Sequence, residues 1–107
     1  MDELSGALVE RVGVEAWVDG RGDAGEVAGF WQPGVTVFAA VVPDPGGGAS
    51  EGGARRSRRR WRVTLRAPVA VSLTSQLRWR SEVLAVLAVE SDPRRSDRVV
   101  LRCEVRP

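Results

Sequence analysis

The sequence predicts an all-β protein, a small antiparallel barrel of about six strands with a long flexible loop between the second and third. Three observations carry this. Apolar residues recur at every second position in most ordered-looking segments, the two-residue period of a strand. The segments run five to nine residues and are separated mostly by brief polar turns. One interval breaks that economy: "DPGGGASEGGARRSRRR", residues 44 to 60, too rich in Gly and Arg to be a strand. At 107 residues the chain suits one domain, 1–107, with 44–60 as a projecting loop within it.

Val12, Val14, Ala16 and Val18 alternate with Arg11, Gly13, Glu15 and Trp17, and Asp19-Gly20 reads as the turn that ends this first strand. "VTVFAAVV", Val35 to Val42, is the second, stopped by Pro43. After the loop, "WRVTLR" places Trp61, Val63 and Leu65 on one face and Arg62, Thr64 and Arg66 on the other. Pro68 interrupts, and "VAVSL" resumes with Val69, Val71 and Leu73 on one face. Leu77 and Trp79 form a short strand, Arg80-Ser81-Glu82 a tight turn, and Val83 to Val89 a strand apolar on both faces, expected to be central and covered on both sides. "SDPRRSD", 91 to 97, is a turn, and "VVLRCEV" closes the chain. The single helical candidate is residues 2 to 10. A closed barrel is preferred to a sandwich because so short a chain gains most by leaving no sheet edge.

Composition narrows the function. All sixteen basic residues are arginine, and the chain has no histidine. Serine and cysteine triads and imidazole metal sites therefore have no base or ligand, and the carboxylates show no catalytic spacing. The reading is no enzyme, no metal and no cofactor. Cys103 is the single cysteine and alternates with charged residues as a small buried hydrophobe does. "GRGDAG", 20 to 25, has dinucleotide-loop spacing, but Gly29, Pro33 and Gly34 forbid the helix such a loop must open. The N-terminus carries acids where a secretory signal needs positive charge. The longest apolar run has seven residues against the roughly 20 of a membrane span. These features predict a soluble protein made in the cytoplasm, with no membrane partner.

Charge is unevenly placed. Residues 1 to 51 hold two arginines against nine acids, a net of −7, and residues 52 to 107 hold fourteen against five, a net of +9. Arg55, Arg56, Arg58, Arg59, Arg60 and Arg62 make the one dense cluster and are the candidate DNA- or partner-contacting residues. Without them ten arginines face fourteen acids, a net of −4. Arginine forks pair with phosphate, and a Gly-rich tether lets them search for it. Trp61 and Trp79, flanked by arginines, superficially suggest base-stacking platforms; period two instead turns both rings into the core.

In order of parts the chain resembles the head–tail adaptor, or head-closure (stopper), proteins of long-tailed phages and gene transfer agents. The first half carries a strand, a D-and-G loop, a Trp, and a strand ending "VFAAVVP". The second half reads L-R-W, turn, V-L, strand, D-P turn and a final L-x-C-E, met by Leu77, Arg78, Trp79, Val83, Leu84, Asp92, Pro93, Leu101, Cys103 and Glu104. It departs at Arg80-Ser81-Glu82, where glycines are usual. The resemblance implies a virion protein of the head–tail interface, assembled in the bacterial cytoplasm. It further implies a self-associated ring, six- or twelvefold, between a portal-side adaptor ring and tail-terminator-type proteins. The long loop would then face a channel of packaged DNA. The charge split fits head-to-tail contact between ring subunits. A stand-alone nucleic-acid-binding barrel with a basic arm, and a neighbouring ring protein such as a tail terminator, are the alternatives.

Overall fold

A computed structural model describes residues 4–21, 27–44 and 59–106. After one helical turn, α1 (Leu4–Ala7), the chain forms β1 (Glu10–Arg21), β2 (Val27–Pro43), β3 (Arg60–Arg66), β4 (Ser75–Trp79), β5 (Glu82–Glu90) and β6 (Arg98–Val105). The six strands close into an antiparallel barrel in the order β1-β2-β3-β6-β5-β4, with β4 hydrogen-bonded back to β1. The expected fold class is the observed one.

Alternation places the core. Val12, Val14, Ala39, Val63, Leu65, Leu77, Leu84, Val86, Leu101 and Cys103 point inward and are buried. Trp61 and Trp79 join them, packed edge to face with ring centroids 4.8 Å apart. Period two thus decides against the stacking-platform reading: the rings go in and the flanking arginines out.

Of the one or two helical turns expected within 2 to 10, one is present at Leu4–Ala7. Four local expectations are corrected. Asp19-Gly20 does not end β1, and β2 begins at Val27 rather than Val35, because the two strands pair over Glu10–Arg21 as one long hairpin. Gly29 lets this happen, since a Cβ there would meet the Trp17 ring at 2.2 Å. Pro33 is tolerated because β3 pairs with β2 only from Ala39 onward, so no third strand needs its missing N–H. Between Gly13 and Glu15 of β1, β2 advances three residues, from Thr36 to Pro33; the extra residue is a bulge at Gly34-Val35 that adds twist.

Third, residues 69 to 73 form no strand. Val69 and Val71 still pack against the core, but Leu73 is exposed. Ser72 and Ser75 capture the backbone instead: the Ser72 N–H donates to Ser75 Oγ (3.0 Å), the Thr74 N–H to Ser72 Oγ (3.2 Å), and the Ser75 N–H to the Ser72 carbonyl (3.0 Å). Such side-chain bonds compete with a ladder and here replace it. Fourth, β5 is not covered on both sides. Leu84 and Val86 are inside, but Leu87, at a bulge where β5 gains a residue on β6, is 44% exposed and Val89 37%.

The β4–β5 connection is a two-residue turn with φ of 52° at Arg80 and 65° at Ser81. Both lie in the left-handed region, the mark of a type I′ hairpin, where Gly or Asn is normally favoured. Arg80 is held there by its contacts: its guanidinium lies 5.1 Å from the Trp79 ring centroid and its Nη2 donates to Glu10 Oε2 at 2.9 Å. The Ser81 side chain makes no contact of that kind among the described residues, so Ser81→Gly should stabilise the protein by about 0.5–1 kcal/mol, read by urea denaturation. Leu101→Ala, emptying a fully buried site, should cost about 2–5 kcal/mol in the same assay.

Candidate partner-contacting surface at the root of the arm

The segment between β2 and β3 leaves and re-enters one end of the barrel. Of the six candidate arginines, Arg55, Arg56 and Arg58 lie outside the described residues, while Arg59, Arg60 and Arg62 sit at the root. Each is already matched to a carboxylate. Arg59 donates to Glu82 on the β4–β5 hairpin, Arg60 lies 3.8 Å from Glu104, and Arg62 lies 3.7 Å from Asp44. The backbone is tied as well: the Asp44 N–H donates to the Arg60 carbonyl (3.1 Å) and the Val105 N–H to the Arg59 carbonyl (3.0 Å).

Asp44 is the residue that sequence reasoning missed. It was read as part of a Gly/Pro-rich loop, yet its side chain is 1% exposed and receives Arg102 Nε at 2.9 Å and Nη2 at 3.3 Å. Register supplies the reason. Arg62 of β3 stands directly opposite Arg102 of β6, and like charges facing each other across a ladder destabilise it. Asp44 neutralises the pair, and its hydrogen bond and charge hold Arg102 further above its ordinary pKa. The legible signal was an acid just after a strand end, opposite an arginine-rich neighbour.

Two further acids bind β1 to β4. Glu15, buried, accepts from Gln76 Nε2 at 2.7 Å and Arg78 Nε at 2.8 Å. Burial pushes its pKa up, but those two bonds and the Arg78 charge outweigh it, leaving the carboxyl below its usual range. Glu10 is lowered too, first by the Trp79 indole N–H at 2.9 Å and then by Arg80, against a smaller desolvation. Burial alone pushes the Cys103 thiol up to about 12, consistent with a packing role. Among the described residues no group of three or more His, Cys, Asp or Glu could hold a metal ion. A cavity of about 450 Å³ at the opposite barrel end is walled by Ala67, Pro68, Val69, Pro93 and Val99 together with polar residues of the 91–98 turn.

The sequence model of the phage head completion protein family matches residues 4–106, and the chain belongs to that family. It is thereby a structural protein of phage-type particles, placed in the virion. Among solved structures, protein SF1141 of Shigella flexneri 2a superposes with a TM-score of 0.74 at 23% identity, over 94% of each chain. A chain from the virion of a native gene transfer agent particle gives 0.65 at 19% identity, over 88% of this chain and 90% of that one. Both likenesses concern the fold. No curated protein matches the sequence.

Asp44→Ala should cost about 1–2 kcal/mol in guanidinium denaturation, because Arg62 and Arg102 lose their shared counter-charge but stay exposed enough to rehydrate. Acid should act at the β1–β4 seam. Glu10 and Glu15 have folded pKa values below the ordinary 4.5, so their stabilisation is complete above about 4.5 and is lost as pH falls through the lower folded values. A Glu15→Gln variant should show a flatter loss of melting temperature between pH 5 and 3, on the order of half the wild-type slope.

Proposed function

We propose that this chain is a head-closure, or stopper, subunit: copies form a ring between a portal-side adaptor and the tail, and the arm helps retain packaged DNA. The observation that carries this reading is the family match over nearly the whole chain. The layout supports it. One end of β2 opens into the arm and the other into the β1–β2 hairpin, so a single strand links two candidate contact ends. The role is mechanical rather than catalytic.

The ion pairs of Arg59, Arg60 and Arg62 weigh against a stand-alone nucleic-acid module, since a phosphate would have to displace carboxylates already in place. Electron microscopy of particles made with and without the gene tests the proposal. Loss should give tailless or DNA-leaking heads, and removal of residues 46–58 should leave tails attached while lowering DNA retention. Normal tailed, filled particles without the gene would overturn it.

A further inference from the structure

The seam between β1 and β4 contains a three-part contact. The Trp79 indole N–H donates to Glu10 Oε1 at 2.9 Å. Arg80 donates to the same carboxylate through Nε (3.2 Å) and Nη2 (2.9 Å). The same guanidinium lies over the Trp79 ring, 5.1 Å from its centroid. An indole that both orients a carboxylate and offers its face suits the planar, forked guanidinium better than an ammonium.

The β1–β2 hairpin carries a second indole–carboxylate pair, with no cation on it among the described side chains. Trp17 Nε1 donates to Asp19 Oδ1 at 2.7 Å. Trp17 is 45% exposed, Asp19 is exposed, and no arginine whose side chain is described lies on either. Beyond Ala16, β1 pairs with nothing but β2. Trp31, edge to face with Trp17 at 5.3 Å, already has the Arg106 guanidinium at 5.6 Å, which shows that the hairpin's aromatic row accepts arginine.

We infer that Trp17 and Asp19 form an arginine-docking site for a second copy of this chain, filled by Arg94 of the neighbour. This rests on the ring proposed above and names its subunit contact. Charge complementarity selects the occupant. Every basic side chain of the protein is arginine, and fourteen of the sixteen lie in residues 52–107. In the six-stranded order β6 lies three strands from β1, on the opposite flank of the barrel. Arg94 projects from the short 3-10 turn (Pro93–Arg95) that leads into β6; it is exposed, and its side chain has no carboxylate partner among the described residues. Leu65 pairs with Ala39 where β2 leaves the barrel toward the hairpin, and the neighbouring Arg66 pairs with Arg98 at the start of β6. Hairpin strand β1 and the turn therefore lie on opposite flanks of the barrel. Joining them repeats head to tail, the heterologous contact that closes into a ring when the rotation permits. A single exposed contact of this kind is weak, so the ring gains strength from repetition rather than from any one pair.

Charge exchange in the full-length chain tests this. Asp19→Arg and Arg94→Asp alone should each lower tail attachment in producing cells by about tenfold or more, and the two together should restore it, thermal melts confirming that every variant folds. Independently, the full-length chain carrying Asp19→Cys with Arg94→Cys should give a ladder of disulfide-linked multimers on oxidation at high concentration, whereas either cysteine alone should give no ladder. Attachment unaffected by the single changes, no rescue by the pair, or no ladder would overturn the inference. Tailless heads on gene loss would leave the stopper reading standing in that case; normal particles on gene loss would remove that reading, with the ladder still reporting the contact.

Discussion

Closure of the sheet between β1 and β4 is the constraint on which the rest depends. The two strands share four residue pairs, Gly13 to Ala16 with Arg78 to Ser75, and a short seam holds poorly on backbone bonds alone. Glu10 and Glu15 reinforce it from β1, reaching Trp79, Arg80, Gln76 and Arg78 on or beside β4. With the seam shut, every barrel strand has two neighbours. The inward residues become a common core, and the arm and the hairpin gain a fixed base. An open sheet of the same strands would expose the Leu77 and Leu84 faces and leave two edges for foreign strands.

Most of this frame was legible in the sequence because period-two patterning reports side-chain direction without reference to partners. Trp61, Val63 and Leu65 of β3, and Leu77 and Trp79 of β4, were read correctly for that reason. What escaped depends on partners. Val27 to Gly34 looked like a loop because Gly29, Pro33 and Gly34 are poor strand residues; each is accommodated by something local alternation does not encode, a tryptophan overhead, a vacant sheet edge and a bulge. Val69 to Leu73 erred the other way: the alternation was present, but serine hydrogen bonds won the backbone. Val83 to Val89 was apolar on both faces, and burial on both sides was inferred where one side remains open at Leu87.

The candidate site was half visible. Arginine density drew attention to the arm, and Arg59, Arg60 and Arg62 do stand at its root. Their carboxylate partners were invisible because Glu82, Glu104 and Asp44 are distant in sequence or hidden in a stretch that looked structureless. The root is consequently better described as a set of paired charges than as an open basic patch. Ion pairs across β3, β5 and β6 fix where the chain leaves and re-enters the barrel.

Reconstruction of the head–tail interface of intact particles by electron cryomicroscopy tests the central claim most directly. The account predicts a closed ring of these barrels between head and tail, with the Asp44 to Arg59 opening turned toward the central channel. Barrels found in the capsid shell, or in a ring with that opening turned to the outside, would contradict it.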